Sequence, residues 1–383
     1  MLIHAPVRTQ TGDEVKVSAR IEFKDKIQTL WFKFRNLDRL RITRDIDPFV
    51  VALLLLAMKR REPIRARGTL SKKLFQGLFE YQKVFHAWFP QDFHLVEIEV
   101  EGLREDQAQN RHLHPPTVPR QACAFSGGVD SFFTFLTLLR QDPTAKPHSP
   151  TFRQAIFMAG FDMPINLTQS IQSLTDSYSK MMEEMQIQLV VGSTNIRNFV
   201  NTVDWTNAHG QALAATALFF KEEWDEFFIP ASYTGATYPQ WGTHPRLDPL
   251  LSTESLTLIH HGASANRVQK LKLITQFPIS YPQLRVCWIQ DIGLKNCGNC
   301  EKCIRTMIAL AILEKLPHYS TFNDQKLSRS KIRNLTQRTH QARLFAREMM
   351  CEALRRGKYR IFLDLGYSLI KRQLRHSLNP RSS

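Results

Sequence analysis

Two short stretches carry residue types that could do chemistry. In "RVCWIQDIGLKNCGNCEKCIRTM", residues 285–307, Cys287, Cys297, Cys300 and Cys303 are spaced C-x9-C-x2-C-x2-C. Zinc takes four soft ligands at tetrahedral corners, and closely spaced knuckle cysteines with one upstream partner can supply them. A closed shell of four thiolates leaves no open coordination position, so such a zinc is structural. Iron–sulfur ligation competes, but the bacterial ferredoxin run needs a further cysteine followed by proline, and Met307 stands there instead. A redox or sulfur-relay role and unmetallated thiols are the remaining readings. Cys123 and Cys351 stand apart and read as packing residues.

The second stretch is "CAFSGGVDSFFTF", residues 123–135, in which two glycines, two serines and an aspartate interrupt an apolar run. "ACAF" reads as a buried strand and the segment from about Ser131 as a helix, so "SGGVDS" is a strand-to-helix turn. Gly127 and Gly128 let bare backbone approach a ligand closely, and Ser126 and Ser131 offer hydroxyl groups. Free NH groups at a helix start, with its partial positive charge, make an anion cradle. Asp130 would repel a phosphate on its own, but it makes sense beside a divalent cation such as magnesium, which binds carboxylate and phosphate oxygens together. The Gly-Lys-Ser/Thr ending of an ordinary P-loop is absent. The competing reading is a glycine-rich helix entry kept for turn geometry alone.

These residues need elements to hold them. From Gln121 onward short apolar runs alternate with helical segments: "ACAF", "QAIFMAG", "IQLVVGS", "DEFFIPAS" and "LTLIHH", with helices between. That alternation predicts an α/β fold with a doubly wound, five-stranded parallel sheet, whose ligands gather at the carboxyl ends of the strands. Ahead of it, residues 1–105 read as an α+β unit for recognition or accessory work. "VKVSARIEF" and "TLWFKFR" alternate with period two as a hairpin. "DPFVVALLLLAMKRR" opens on Asp47 as N-cap and Pro48 in the first turn, and "SKKLFQGLFEYQKVFHAWF" places Leu74, Leu78, Tyr81 and Phe85 on one face behind Ser71 as N-cap. Residues 106–120 read as a polar, proline-bearing linker, 121–318 as the catalytic domain with its metal site, and 319–383 as a basic helical tail.

Bulk properties narrow the class. With 43% hydrophobic residues among 383, the chain can bury real cores. "FVVALLLLAM", residues 49–58, is about half a bilayer span, and the first residues lack a signal-peptide core. Six cysteines, four of them clustered, point to a metal in a reducing compartment. The expectation is a soluble, cytoplasmic protein with no membrane partner. The net charge is +16, of which residues 321–383 supply +11. That tail could bind nucleic acid or an acidic surface, or it could be a solvated helical face.

"SGGVDS" between a buried strand and a helix resembles the PP-loop of the ATP pyrophosphatase branch of the adenine nucleotide alpha hydrolases (the HUP superfamily), a group with GMP synthetase, tRNA thiolases and the 7-cyano-7-deazaguanine synthase QueC. Those enzymes cleave ATP between the alpha and beta phosphates, adenylate a substrate oxygen and release pyrophosphate. The resemblance implies that Ser126, Gly127, Gly128, Val129, Asp130 and Ser131 hold the pyrophosphate end of ATP and its magnesium, with adenine near Phe157, Met158 and Ala159. With the four cysteines and Arg305 just after them, residues 121–310 are similar to QueC in particular, which implies zinc at Cys287, Cys297, Cys300 and Cys303. QueC's Tyr-Pro-Asp-Cys-Arg run is not kept: "ASYTGATYPQWGTHPRLDPLLS" retains Tyr238 and Pro239 alone. The adenylating machinery therefore carries over better than the substrate, for which 7-carboxy-7-deazaguanine or a related deazapurine carboxylate is the expectation, with ammonia or an amine displacing AMP. QueC-like chains with such additions resemble those of bacterial antiviral operons, which implies an operon-encoded protein N-terminus as a further acceptor. A tRNA-modifying thiolase and a non-catalytic ATP-binding subunit are the rival readings.

Arg267 and Lys270, one turn apart after the fifth strand, are expected to reach phosphates and offset charge on pyrophosphate, so Asp130, Ser131, Arg267 and Lys270 form the candidate catalytic set; a solvated pair is the alternative for the two cations. His244, Arg246 and Asp248 could bind a carboxylate or purine edge, or merely satisfy the backbone of a proline-flanked loop. Trp205 and His209 could meet a flat base, or pack at a helix start. His260 and His261 show no metal spacing and receive no role.

Overall fold

The computed structural model describes residues 1–24, 26–105, 119–140, 151–235, 238–289, 291–323, 327–335 and 339–378, with side chains to residue 371. Most of the expected linker, residues 106–118, lies outside them. The fold is mixed α/β around one eleven-stranded sheet. Six strands come first: β1 (Leu2–Ile3), β2 (Val7–Thr11), β3 (Glu14–Glu22), β4 (Ile27–Arg35), β5 (Ile64–Ser71) and β6 (Ile98–Arg104). Helix α1 (Asp47–Arg60) separates β4 from β5, and α2 (Lys72–Trp88) separates β5 from β6. The second half holds β7 (Gln121–Ala124), α3 (Val129–Arg140), β8 (Phe152–Ala159), α4 (Thr168–Glu183) and β9 (Gln188–Thr194). Next come α5 (Ile196–Phe199), α6 (Trp205–Leu218), β10 (Glu226–Pro230), β11 (Thr257–His261) and α7 (Arg267–Ile274). Helices α8 (Glu301–Ile312), α9 (Arg329–Arg333), α10 (His340–Arg355) and α11 (Tyr359–Leu378) complete the chain.

The strand order is β11-β10-β7-β8-β9-β4-β3-β1-β5-β6, with β2 beside β3. The first five are parallel to one another. β4 then joins β9 antiparallel, Phe34 opposite Gly192, so the two halves of the chain share a sheet. Both faces of the parallel strands are covered, and their side chains alternate between two cores. Ala122, Ala124, Phe227 and Ile229 face a core shared with α1 and α6. Cys123, Phe157 and Phe228 face another, shared with α3, α4, α7 and α8. Burial on both sides is why these strands read as unbroken apolar runs.

The expected hairpin forms, with Ala19 opposite Leu30. Ser71 caps α2 as expected, its hydroxyl accepting from Leu74 N–H at 3.1 Å. Asp47 departs from expectation: it lies inside α1, whose N-cap is Ile46. Its buried carboxylate accepts from Ser71 N–H at 3.0 Å, from Lys221 Nζ at 3.0 Å and from Arg104. A carboxylate buried this completely must find cations or donors, and those partners lie outside its own helix. Among the described residues no helix is long and apolar enough to cross a membrane.

Candidate functional site

Strand order creates the place for a ligand. From β7 the chain steps outward to β8 and β9, then returns to the far side of β7 for β10 and β11. The crevice between the carboxyl ends of β7 and β10 is the switch point at which open α/β sheets bind ligands. "SGGVDS" leaves β7 into α3 at this point, and Ala231 and Tyr233 follow β10.

The turn is held by its own serines. Ser131 Oγ accepts from Ser126 N–H at 3.2 Å and donates to Gly128 O at 3.1 Å, and the two hydroxyls lie 3.3 Å apart. Gly128 N–H meets Ser126 Oγ at 3.4 Å. The two glycines differ in cause. Gly127 has φ of +76°, and a Cβ there would lie 1.8 Å from Tyr178 Oη. At Gly128 a Cβ would find Ser126 Oγ at 3.4 Å and Arg285 O at 3.8 Å, ordinary contacts. Of the two, the fold itself therefore requires glycine at 127, while position 128 has room for a Cβ. Gly127→Ala is expected to lose stability on the order of 2–3 kcal/mol from backbone strain and collision. Gly128→Ala is expected to unfold in urea close to the wild type; equal destabilisation of both would contradict this division.

Asp130 is where distant cations converge. Arg267 donates to Oδ2 at 3.0 Å and Lys270 to Oδ1 at 2.9 Å, and Lys270 also reaches Ala231 O. Burial works to raise the Asp130 carboxyl, but the Arg267 and Lys270 charges outweigh it and hold it below its ordinary value. For Lys270 burial wins and lowers the ammonium despite Asp130. Because the Asp130 shift is downward, its stabilising effect is present above the unfolded carboxylate value, about pH 4. It is lost as pH falls through the lower folded value. Thermal melts should show stability falling on acidification below about pH 4, and Asp130→Asn should flatten that slope.

Two more cations arrive from α8. Lys302 is lowered by burial, which Asp162 opposes and Arg267 and Arg305 reinforce. Arg305 is brought to about 10 by burial and then by the neighbouring Arg267 charge. Glu301 faces Arg305 at 3.4 Å, and the carboxyl of half-buried Glu348 on α10 is raised by desolvation. The Phe345 ring has two guanidinium groups near it, Arg267 at 5.2 Å and Arg305 at 4.5 Å from its centroid, and stacks on Tyr233 at 5.9 Å. Arg267 Nε and Arg305 Nε are buried without a hydrogen-bond partner among the described residues. Crowded cations with orphaned donors fit an anion with several oxygens. Both Asp130 oxygens already hold cations, so this carboxylate does not fit direct ligation of magnesium. A cleft of about 470 Å³ between α7 and α10, lined by Tyr233, Phe345, Glu348 and Cys351 among others, adjoins the cluster.

The four cysteines come together as expected, all Sγ atoms within 4.8 Å of one another. Cys287 and Cys300 Sγ are 4.0 Å apart and Cys297 and Cys303 3.9 Å, against ~3.8 Å for a tetrahedron with zinc–sulfur bonds of ~2.3 Å. Backbone NH groups point at the sulfurs: Cys297 Sγ accepts from Cys300 at 3.3 Å and Asn299 at 3.4 Å, and Cys300 Sγ accepts from Cys303 at 3.4 Å. The cluster can thus bind a metal such as zinc.

Asn296 and Arg285, neither marked by the sequence, tie this centre down. Asn296 Oδ1 accepts from Val286 N–H at 2.8 Å and Cys287 N–H at 3.1 Å, while Nδ2 donates to Leu284 O at 2.9 Å. Arg285 N–H donates to Gly127 O at 2.9 Å, and its side chain holds Gly293 O and Ile289 O at 2.7 and 3.0 Å. One residue thereby joins the cysteine loop to the glycine turn.

Elsewhere, Phe157, Met158 and Ala159 end β8 with side chains buried in the two cores, so this strand end offers a ligand its backbone. Trp205 Nε1 donates to Asp162 at 3.0 Å under the Arg197 guanidinium, and His209 Nδ1 bonds Trp205 O at 3.1 Å. In the loop after β10, His244 N–H donates to Asp248 and Arg246 N–H to His244 Nδ1. His260, for which the sequence offers no role, bonds Asp248 at 2.7 Å. His261 Nδ1 meets Thr134 Oγ1 at 3.0 Å. No family model, curated protein or solved structure matches the chain.

Proposed function

We propose that this chain is an ATP-dependent enzyme that adenylates a carboxylate, releases pyrophosphate, and passes the acyl group to ammonia or an amine. The observation that carries the reading is the gathering of Arg267, Lys270, Lys302 and Arg305 about Asp130 of the glycine turn, with two guanidinium Nε donors unpartnered among the described residues. Pyrophosphate is the polyanion such a cluster suits. The strand order and the "SGGVDS" turn at its switch point support a PP-loop fold of the adenine nucleotide alpha hydrolase type.

In this reading NH groups from the first turn of α3 and the Ser126 hydroxyl receive phosphate oxygens, since the first NH groups of a helix lack intrahelical partners. ATP supplies the phosphoric anhydride, with magnesium held by its phosphates. Asp130 positions Arg267 and Lys270, and those cations offset charge gathering on the leaving pyrophosphate. Lys302 and Arg305 close the other side, carried there by the metal centre at the head of α8. The chain needs no nucleophile of its own: holding carboxylate and alpha phosphate in line accounts for the chemistry.

7-Carboxy-7-deazaguanine is the substrate to try first, and an operon-encoded protein N-terminus in antiviral defence is a second acceptor after ammonia. Pyrophosphate release that depends on this carboxylate, with an amide product by mass spectrometry, tests the reading. ATP binding without turnover would favour a non-catalytic subunit, and sulfur transfer to tRNA would favour a thiolase.

A further inference from the structure

A chain of three polar side chains ends at Tyr238, in the segment that follows β10. Asp248 opens a short 3-10 turn, Asp248–Leu251, and is held there by the His244 N–H on Oδ1 at 3.2 Å. Its Oδ2 lies 2.7 Å from His260 Nδ1 on β11, and His260 Nε2 lies 2.7 Å from Tyr238 Oη. The Asp248 and His260 side chains are each 2% exposed, while Tyr238 is only partly covered. A carboxylate can only accept, so His260 Nδ1 carries the proton and Nε2 is left to accept from the tyrosine hydroxyl.

Aromatic rings connect the chain to the cation cluster. Tyr238 lies in the segment that follows β10, edge-on to Tyr233 at 5.8 Å, and Tyr233 stacks on the Phe345 ring that Arg267 and Arg305 approach. Lys270 bonds Ala231 O at the start of the same segment. Groups facing the relay include His244, with Arg246 beside it, Tyr81 from α2, His209 from α6, and Asp130 from α3. His244 is brought to about 4 by burial first, and burial lowers His209 as well, so neither competes for a proton near neutral pH.

We infer that Tyr238, His260 and Asp248 form a proton relay that deprotonates the amine as it attacks the activated acyl group. The inference rests on the adenylation reading. As the amine nitrogen bonds the acyl carbon and the carbon–oxygen bond to AMP breaks, the nitrogen must shed one proton. Tyr238 Oη takes it while its own proton passes to His260 Nε2. The resulting imidazolium faces the Asp248 carboxylate, and the proton later leaves to water. Amine and acyl-adenylate become amide, AMP and one proton.

The test separates the two half-reactions. With 7-carboxy-7-deazaguanine, exchange of labelled pyrophosphate into ATP reports adenylation, and transfer is measured with ammonia and with hydroxylamine. Hydroxylamine is mostly unprotonated at neutral pH and depends less on a base. Tyr238→Phe and His260→Gln should keep exchange within about threefold of wild type. They should lose about 100-fold or more in transfer to ammonia, the scale of general base catalysis, and under tenfold with hydroxylamine. Equal losses with both nucleophiles, or a matching loss of exchange, would reduce the triad to a structural brace. Unchanged transfer in Tyr238→Phe, the variant least able to disturb folding, would overturn the relay and leave adenylation standing. No exchange in the wild type would sink adenylation for this substrate and the relay with it.

Discussion

Arg267→Ala should lower carboxylate-dependent pyrophosphate release by about 10²–10³-fold, the cost of removing one preorganised donor from a developing charge. Arg267 reaches Asp130 with one nitrogen, while its Nε has no hydrogen-bond partner among the described residues. Like Arg305, it is therefore placed to gain a bond when an anion arrives. Lys270 stays behind to neutralise Asp130, so the variant should fold, and a melting curve near the wild type's checks that. A variant that lost only ATP affinity, with its maximal rate intact, would move Arg267 from stabilising the transition state to plain binding. Loss of both folding and rate would instead mark the Arg267–Asp130 pair as a structural clamp.

Removing the metal should have the larger effect on the whole molecule. Cys303→Ser deletes a fully buried ligand, and four thiols without a cation have nothing to hold them in a tetrahedral cluster. Cys300 caps α8 through its Sγ, and α8 brings Lys302 and Arg305 near Asp130. Arg285 links the cysteine loop to Gly127 O. Chelation or Cys303→Ser should thus release about one zinc per chain, lower the melting temperature, and abolish pyrophosphate release together. A metal-free protein with a full rate would show that the centre does not position those cations. Iron in place of zinc on metal analysis would revive the iron–sulfur alternative.

The two predictions differ in how visible their residues are along the chain. The knuckle cysteines and the "SGGVDS" turn announce themselves because their constraints are local. Knuckle ligands such as Cys297, Cys300 and Cys303 recur within a few residues, and a turn with φ of +76° accepts little but glycine. The alternating hairpin and the apolar strand runs are legible for the same reason, since a period of two is set by the pleat itself. Asp47 shows the limit of such reasoning. Its position before Pro48 reads as a cap, yet it binds Lys221, 174 residues away.

By itself, then, the sequence determined that this chain has a glycine-rich helix entry after a buried strand, a four-cysteine cluster, and segments suited to a mixed α/β sheet. Only the tertiary structure decided that β4 closes on β9, and that Arg267 and Lys270 meet Asp130 across 137 and 140 residues. It also decided that His260 belongs to Asp248 and Tyr238. The reason is that a side chain's partner depends on strand order and register. These are set by how many separate apolar surfaces are buried at once, and no window of neighbouring residues contains them.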